Sequence, residues 1–121
     1  PNINAALGCA QLENLDRYVA DKRETAACYA EFFKGKEDIT FFTEPADCKS
    51  NYWLNAVVLK DKAAQLDFLE YTNDHGVMTR PVWELMNRLP MFEHCETDGL
   101  ENTEWLADRV VNIPSSVRLD K

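Results

Sequence analysis

Thr79-Arg80-Pro81-Val82-Trp83, running on through Asn87, Arg88, Leu89 and Pro90 to Phe92, is the stretch whose residue types could do chemistry. A strand that ends at a proline delivers an arginine and a tryptophan into an irregular segment, and loops at strand ends often carry binding residues. The Arg80 guanidinium can pair bidentately with a phosphate or a carboxylate, and the Trp83 indole can cover an apolar or ring-shaped surface. The plain alternative is that Trp83 belongs to the core and Arg80 partners a surface acid.

Other candidates carry less. His75 precedes Gly76 at the end of an expected helix, where a C-cap role suits it. His94 and Cys95 are adjacent, so their side chains diverge and do not readily share a metal. Glu93, Glu96, Asp98, Glu101, Glu104 and Asp108 form an acidic run that reads as a solvated face with acids placed at a helix N-terminus. The four cysteines, Cys9, Cys28, Cys48 and Cys95, include no C-x-x-C pair and are expected as free thiols. Glycines at positions 8, 35, 76 and 99 alone leave no phosphate-cradling loop.

The elements that must position these residues follow from pattern. From about Asn2 to Lys34 there is no proline, one glycine and many alanines, which predicts one long helix ending at Gly35. At 1.5 Å per residue it spans about 50 Å, against a diameter of about 35 Å for a compact domain of this size. Its apolar face also moves. Leu12, Leu15, Val19, Ala26, Tyr29 and Phe33 centre on about 310° of the helical wheel, whereas Ile3, Ala6, Leu7 and Ala10 centre on about 170°. The second half is therefore expected to pack on the domain, while the first half overhangs it and packs on something else, with Gly8 permitting close approach. A helix broken near Gly8 is the alternative.

After Gly35, Ile39–Thr43 reads as a short strand and Tyr52–Leu59 as a central one, apolar on both faces. Asp61 caps a helix from Lys62 to His75, with Leu66 and Leu69 inward and Gly76 as its stop. Val77–Arg80 reads as a strand ended by Pro81, and Val82–Cys95 as irregular or briefly helical. A helix over Leu100–Val110 and a strand over Val111–Ile113 complete an α+β fold: a long N-terminal helix plus a small mixed β-sheet packed with helices. No internal repeat, low-complexity tract or linker interrupts it.

The whole has 121 residues, room for one domain. Hydrophobic residues make up 45% and charged residues 28%, enough for a normal core. A formal net charge of −8 disfavours nucleic acid as a partner. No apolar run approaches the roughly 20 residues of a membrane span, and no signal peptide is visible, so a cytoplasmic location is expected. The chain opens at Pro1 without an initiator methionine and runs straight into a helical pattern, which reads as a piece of a longer protein.

Taken together, several stretches resemble one family. Pro1-Asn2-Ile3-Asn4-Ala5-Ala6-Leu7-Gly8-Cys9-Ala10-Gln11-Leu12-Glu13-Asn14-Leu15 resembles the opening of the C-terminal domain of the DegT/DnrJ/EryC1/StrS sugar aminotransferases. Asp21-Lys22-Arg23 with Ala26 and Tyr29, Gly76-Val77-Met78-Thr79-Arg80-Pro81 with Trp83, and Leu106-Ala107 leading to Asn112-Ile113-Pro114-Ser115 extend the match over essentially the whole chain. The resemblance implies the small domain of a pyridoxal-phosphate enzyme of the aspartate-aminotransferase fold. It is closest to the branch that aminates 4-keto-6-deoxy nucleotide sugars, of legionaminic acid or bacillosamine type, with GDP-perosamine synthases as near relatives.

The resemblance further implies an amino group moved from glutamate to C4 of such a sugar for surface-polysaccharide biosynthesis, in an enzyme that is a homodimer when full length. It implies that Arg80, Trp83 and Arg88 border the sugar-nucleotide cleft. The Ser-x-x-Lys motif that holds the cofactor in the family has no counterpart here: none of Lys22, Lys34, Lys36, Lys49, Lys60, Lys62 and Lys121 follows a serine by three positions. Residues 1–121 are thus expected to be a single C-terminal small domain whose cofactor-binding domain is absent from this chain, with no catalytic residue and no cofactor of its own. The rival readings are a stand-alone α+β module that binds a ligand or peptide through the Arg80–Phe92 segment, and a scaffold domain that pairs through Ile3, Ala6, Leu7 and Ala10.

Overall fold

A computed structural model describes residues 1–118; Lys121, one of the lysines compared above, lies outside the described residues. The elements run α1 (Asn2–Leu12), α2 (Leu15–Phe33), β1 (Ile39–Phe41), β2 (Asn55–Leu59), α3 (Lys62–Asp74), β3 (Arg80–Pro81), a 3₁₀ turn (Met86–Arg88), α4 (Glu101–Ala107) and β4 (Val110–Ile113).

The expected single long helix is two helices, and the break falls at Glu13–Asn14 rather than near Gly8. The cause is the Asn14 side chain. Its Nδ2 donates to the Ala10 carbonyl at 2.9 Å, the acceptor that its own backbone N–H would use in a regular helix. That N–H turns instead to the Gln11 carbonyl at 3.1 Å. A short amide side chain has displaced the backbone ladder locally. Both residues keep right-handed helical dihedrals, so the break is a local disruption rather than a turn. Of the apolar face expected to pack on the domain, Ala26 is buried and Tyr29 and Phe33 pack on the core, whereas Leu12 and Leu15 are exposed, a correction; α1 buries nothing.

The sheet has strand order β1-β2-β4-β3, and every pairing is antiparallel, which corrects the expected mixed sheet. The reason is the insertion of β4. The strands β2 and β3, joined by the α3 crossover, run the same way, but β4 lies between them and pairs antiparallel with each. The α+β class stands. Strand β3 is Arg80–Pro81 and not the expected Val77–Arg80, with Pro81 as its last residue, opposite Val111. An edge strand tolerates a residue without an N–H, because one side of it needs no donor.

Along β2 the side chains of Asn55, Val57 and Leu59 turn inward in period-two alternation. They join Ala26, Phe41, Val111 and Ile113 in the core, with Tyr29, Phe33, Phe68 and Leu69 packed around it. Full burial of a valine such as Val57 or Val111 contributes about 2 kcal/mol. Helix α3 begins as expected, with Asp61 Oδ1 accepting from the Ala64 N–H at 2.8 Å. It ends at Gly76, whose φ of 75° is a left-handed conformation that glycine accepts without strain. Its inward residue is Gln65, fully buried, whereas Leu66 faces out, a correction to the expected core. Burial of this amide is affordable because it is satisfied: Nε2 donates to the Ala107 and Val110 carbonyls at 2.9 Å each, and Oε1 accepts from Lys62 at 2.8 Å.

Candidate functional site

The edge strand β3, the end of β4 and the loop before β2 enclose a cleft of about 310 Å³. Met78, Arg80, Pro81 and Trp83 form one side, Asn112, Ile113, Pro114 and Ser115 the floor and far end, and Trp53 and Leu54 the opposite side. Arg80 and Asn112 are cross-strand partners, so the guanidinium stem rises directly beside the asparagine. Trp83 is 82% exposed and Trp53 63%, which gives the cleft two indoles at its surface and removes Trp83 from the core. An exposed pair of indoles suits flat or apolar ligand surfaces.

Arg80 differs from the other arginines. Arg23, Arg88 and Arg118 pair with carboxylates, Arg17 donates to Asn14 Oδ1 at 3.3 Å, and Arg109 donates to the Lys60 and Trp105 carbonyls. The Arg80 guanidinium touches only the Met78 sulfur, at 3.5 Å, among the described residues. It stands at an apolar cleft with no carboxylate partner among the described residues, which leaves it able to take an anion.

Helix α2 holds the cleft from behind. Lys22 Nζ donates to the Trp53 carbonyl at 3.3 Å and the Ser115 carbonyl at 2.5 Å, and Tyr29 donates its hydroxyl to the Pro114 carbonyl at 3.0 Å. Ser115 Oγ accepts from the Asn55 N–H at 2.7 Å and donates to the Ile113 carbonyl. At the next position of α2, Arg23 grips the loop that leads into β2. It pairs bidentately with Glu44 and donates to the Ser50 carbonyl at 2.6 Å, while Glu44 also accepts from the Ser50 N–H. The guanidinium bonds and that N–H hold the Glu44 carboxyl down at about 2, and the same bond raises Arg23. Tyr52, in this loop, takes a φ of 46°, a strained value for a tyrosine, and its hydroxyl accepts from the Glu44 N–H at 3.2 Å.

The structure therefore brings Arg80 and Trp83 together and leaves Arg88 apart. Arg88 lies on the 3₁₀ turn, within 3.7 Å of Glu84 and Glu104, and does not line the cleft. His75 caps α3 as expected, with Nδ1 2.7 Å from the Tyr71 carbonyl. The four cysteines are free and exposed, and no group of three metal-ligating side chains assembles among the described residues. No helix of the described residues is long and apolar enough to cross a membrane. Sequence reasoning missed Trp53, Asn112 and Ser115, which reach the cleft from segments far apart in the chain. The Asn112-Ile113-Pro114-Ser115 run was legible as a motif, but not as a wall of this cleft.

Relatives match this chain over nearly all of its length. The EpsN protein of Bacillus subtilis strain 168, whose name describes a pyridoxal phosphate-dependent aminotransferase, is 29% identical over 118 residues, spanning 94% of the chain and 30% of EpsN. GDP-perosamine synthase of Escherichia coli O157:H7 is 28% identical over 116 residues, again 94% of the chain and 30% of the relative. The fold matches PseC of Helicobacter pylori, an aminotransferase involved in the biosynthesis of pseudoaminic acid, with a TM-score of 0.87 at 20% identity over 98% of the chain and 33% of PseC. The chain thus spans about a third of the length of the proteins it matches.

Pyridoxal phosphate is held by a lysine amine, with a charged partner for its ring nitrogen. The cleft is lined by no lysine and no carboxylate, and Lys22 behind it is engaged with two carbonyls. The buried polar atoms without a partner among the described residues, on Asn55 and Thr25, belong to residues that do not line the cleft. These residues do not by themselves fit that cofactor. The family model of the DegT/DnrJ/EryC1/StrS aminotransferases matches residues 1–121 from end to end, and the chain belongs to that family.

Proposed function

We propose that this chain is the C-terminal small domain of a nucleotide-sugar aminotransferase, and that its Arg80–Trp83 cleft borders the place where the nucleotide sugar binds. The single observation that carries the reading is the Arg80 guanidinium, without a carboxylate partner among the described residues, between two exposed indoles. A nucleotide sugar offers matching chemistry: phosphates for the guanidinium, and flat base and sugar-ring faces for Trp53 and Trp83. The names of the relatives support the substrate class, and the family supports pyridoxal phosphate as the cofactor of the intact enzyme.

In this reading the reaction moves an amino group, with glutamate as donor, to C4 of a 4-keto-6-deoxy sugar destined for a surface polysaccharide. The enzyme works in the cytoplasm as a homodimer. The cofactor is carried by residues beyond this chain, and the residues described here bind and orient the sugar nucleotide. The unburied α1, with Ile3, Leu7 and Leu12 all exposed, is the surface expected to meet the cofactor-carrying domain. The test is steady-state kinetics of the full-length enzyme with Arg80→Ala. A raised KM for the nucleotide sugar supports the reading; unchanged kinetics refute it.

A further inference from the structure

Two parts of the cleft are joined through one amine. Lys22 Nζ reaches the carbonyl of Trp53, 31 positions along the chain, and that of Ser115, 93 positions along. Both acceptors line the cleft, and Lys22 itself does not. Among the described residues the amine forms no ion pair and is held by these two carbonyls. Hydrogen bonds from a charged donor are roughly twice as strong as neutral ones.

The two acceptors depend on this amine unequally. Ser115 keeps other ties through its hydroxyl to Asn55 and Ile113, and its neighbour Pro114 is held by Tyr29. The Trp53 N–H turns back to Asn51 within its own loop, at 3.0 Å. Among the described residues, the Lys22 amine is what bonds the Trp53 backbone to α2.

We propose that Lys22 is a positioning residue that sets the place of the Trp53 wall by holding it against the Ser115 end of the cleft floor. It thereby governs the fit of the nucleotide sugar without touching it. This rests on the reading of the cleft given above. Its chemistry separates it from Arg80: Lys22 acts on the position of the Trp53 wall, and Arg80 acts on the ligand's charge.

The experiment compares full-length enzyme carrying Lys22→Met, Arg23→Met or Arg80→Ala, with kcat and KM measured for the nucleotide sugar and for the amino donor. Lys22→Met keeps the aliphatic stem but cannot bridge the carbonyls. It should raise KM for the nucleotide sugar about tenfold, with kcat and the donor KM within about twofold, the scale of losing a charge-assisted hydrogen bond. Arg23→Met releases the Glu44–Ser50 part of the same loop, and should lower the melting midpoint with a smaller rise in that KM than Lys22→Met gives. If Lys22→Met does not fold, Lys22→Gln, too short to span both carbonyls, should show a smaller rise in the same KM.

A nucleotide-sugar KM within about twofold of wild type for the Lys22 variant, alongside a raised KM for Arg80→Ala, overturns the Lys22 assignment and leaves the cleft reading standing. An equal rise for Arg23→Met shows general loosening of α2 and also overturns it. If neither Lys22→Met nor Arg80→Ala moves KM, the cleft reading falls and the Lys22 assignment falls with it.

Discussion

Arg23 and Glu44 face each other as two parallel forks, Nη1 to Oε2 at 2.9 Å and Nη2 to Oε1 at 2.6 Å. The pair fastens the loop ahead of β2 to the middle of α2, and the guanidinium also lies over the Tyr52 ring, 5.6 Å from its centroid. Because the Glu44 carboxyl is held at about 2, below its ordinary 4.5, the folded state binds that proton less readily than the unfolded chain does. The stabilisation is therefore present above pH 4.5 and is lost as pH falls toward 2.

Glu44→Gln should accordingly lower the melting midpoint at neutral pH and flatten its decline between pH 4.5 and 2. Thermal denaturation followed by circular dichroism at a series of pH values checks this. An acid limb identical to wild type would show that the pair contributes no linkage.

Gln65→Leu keeps the volume of a buried side chain but leaves the Ala107 and Val110 carbonyls without their donor. We expect a loss of about 1–3 kcal/mol, the cost of stranding buried polar groups. Urea denaturation measures it, and a neutral or stabilising result would mean that water reaches those carbonyls.

Asp61→Ala removes the side chain that caps α3 and should cost about 1 kcal/mol. Asp61→Asn, which keeps the acceptor, should recover most of that. Equal losses for the two variants would point to the carboxylate charge rather than the cap.

Arg80→Ala in the full-length enzyme should raise KM for the nucleotide sugar by roughly tenfold or more, as expected for loss of a charge-assisted contact. Arg88→Ala should leave it within about twofold, because Arg88 is occupied by Glu84 and Glu104. The reverse ranking would move the substrate to the far side of the 82–92 segment.

The places where residue pattern sufficed are those governed by neighbours in the chain. Asp61 before a helix and Gly76 after it each act over a few residues, and each stands where it was expected, as does β2 as an inner strand. Choices made by distant partners were not legible. Leu66 would serve a core better than Gln65 by hydropathy, yet Gln65 is buried because two carbonyls of the α4–β4 connection need its amide. The break in the N-terminal helix turns on which donor takes one carbonyl of Ala10, which periodicity does not record. The candidate cleft shows the same division. Arg80 and Trp83 share a local stretch and were found, whereas Trp53 and Ser115 were missed because only the packing of the sheet on α2 brings them there.

The insertion of β4 between β2 and β3 has a consequence for the order of assembly. A ribosome delivers β4 after every other strand, yet β3 pairs with nothing else in the sheet, and one edge of β2 stays open until β4 arrives. Such non-local pairing closes slowly, and the open edge invites pairing with the wrong chain in the meantime. Arg80 and Asn112 come face to face only in that last step. A nascent chain that stops short of Val110 has the helices, the β1–β2 hairpin and both indoles, but no cleft.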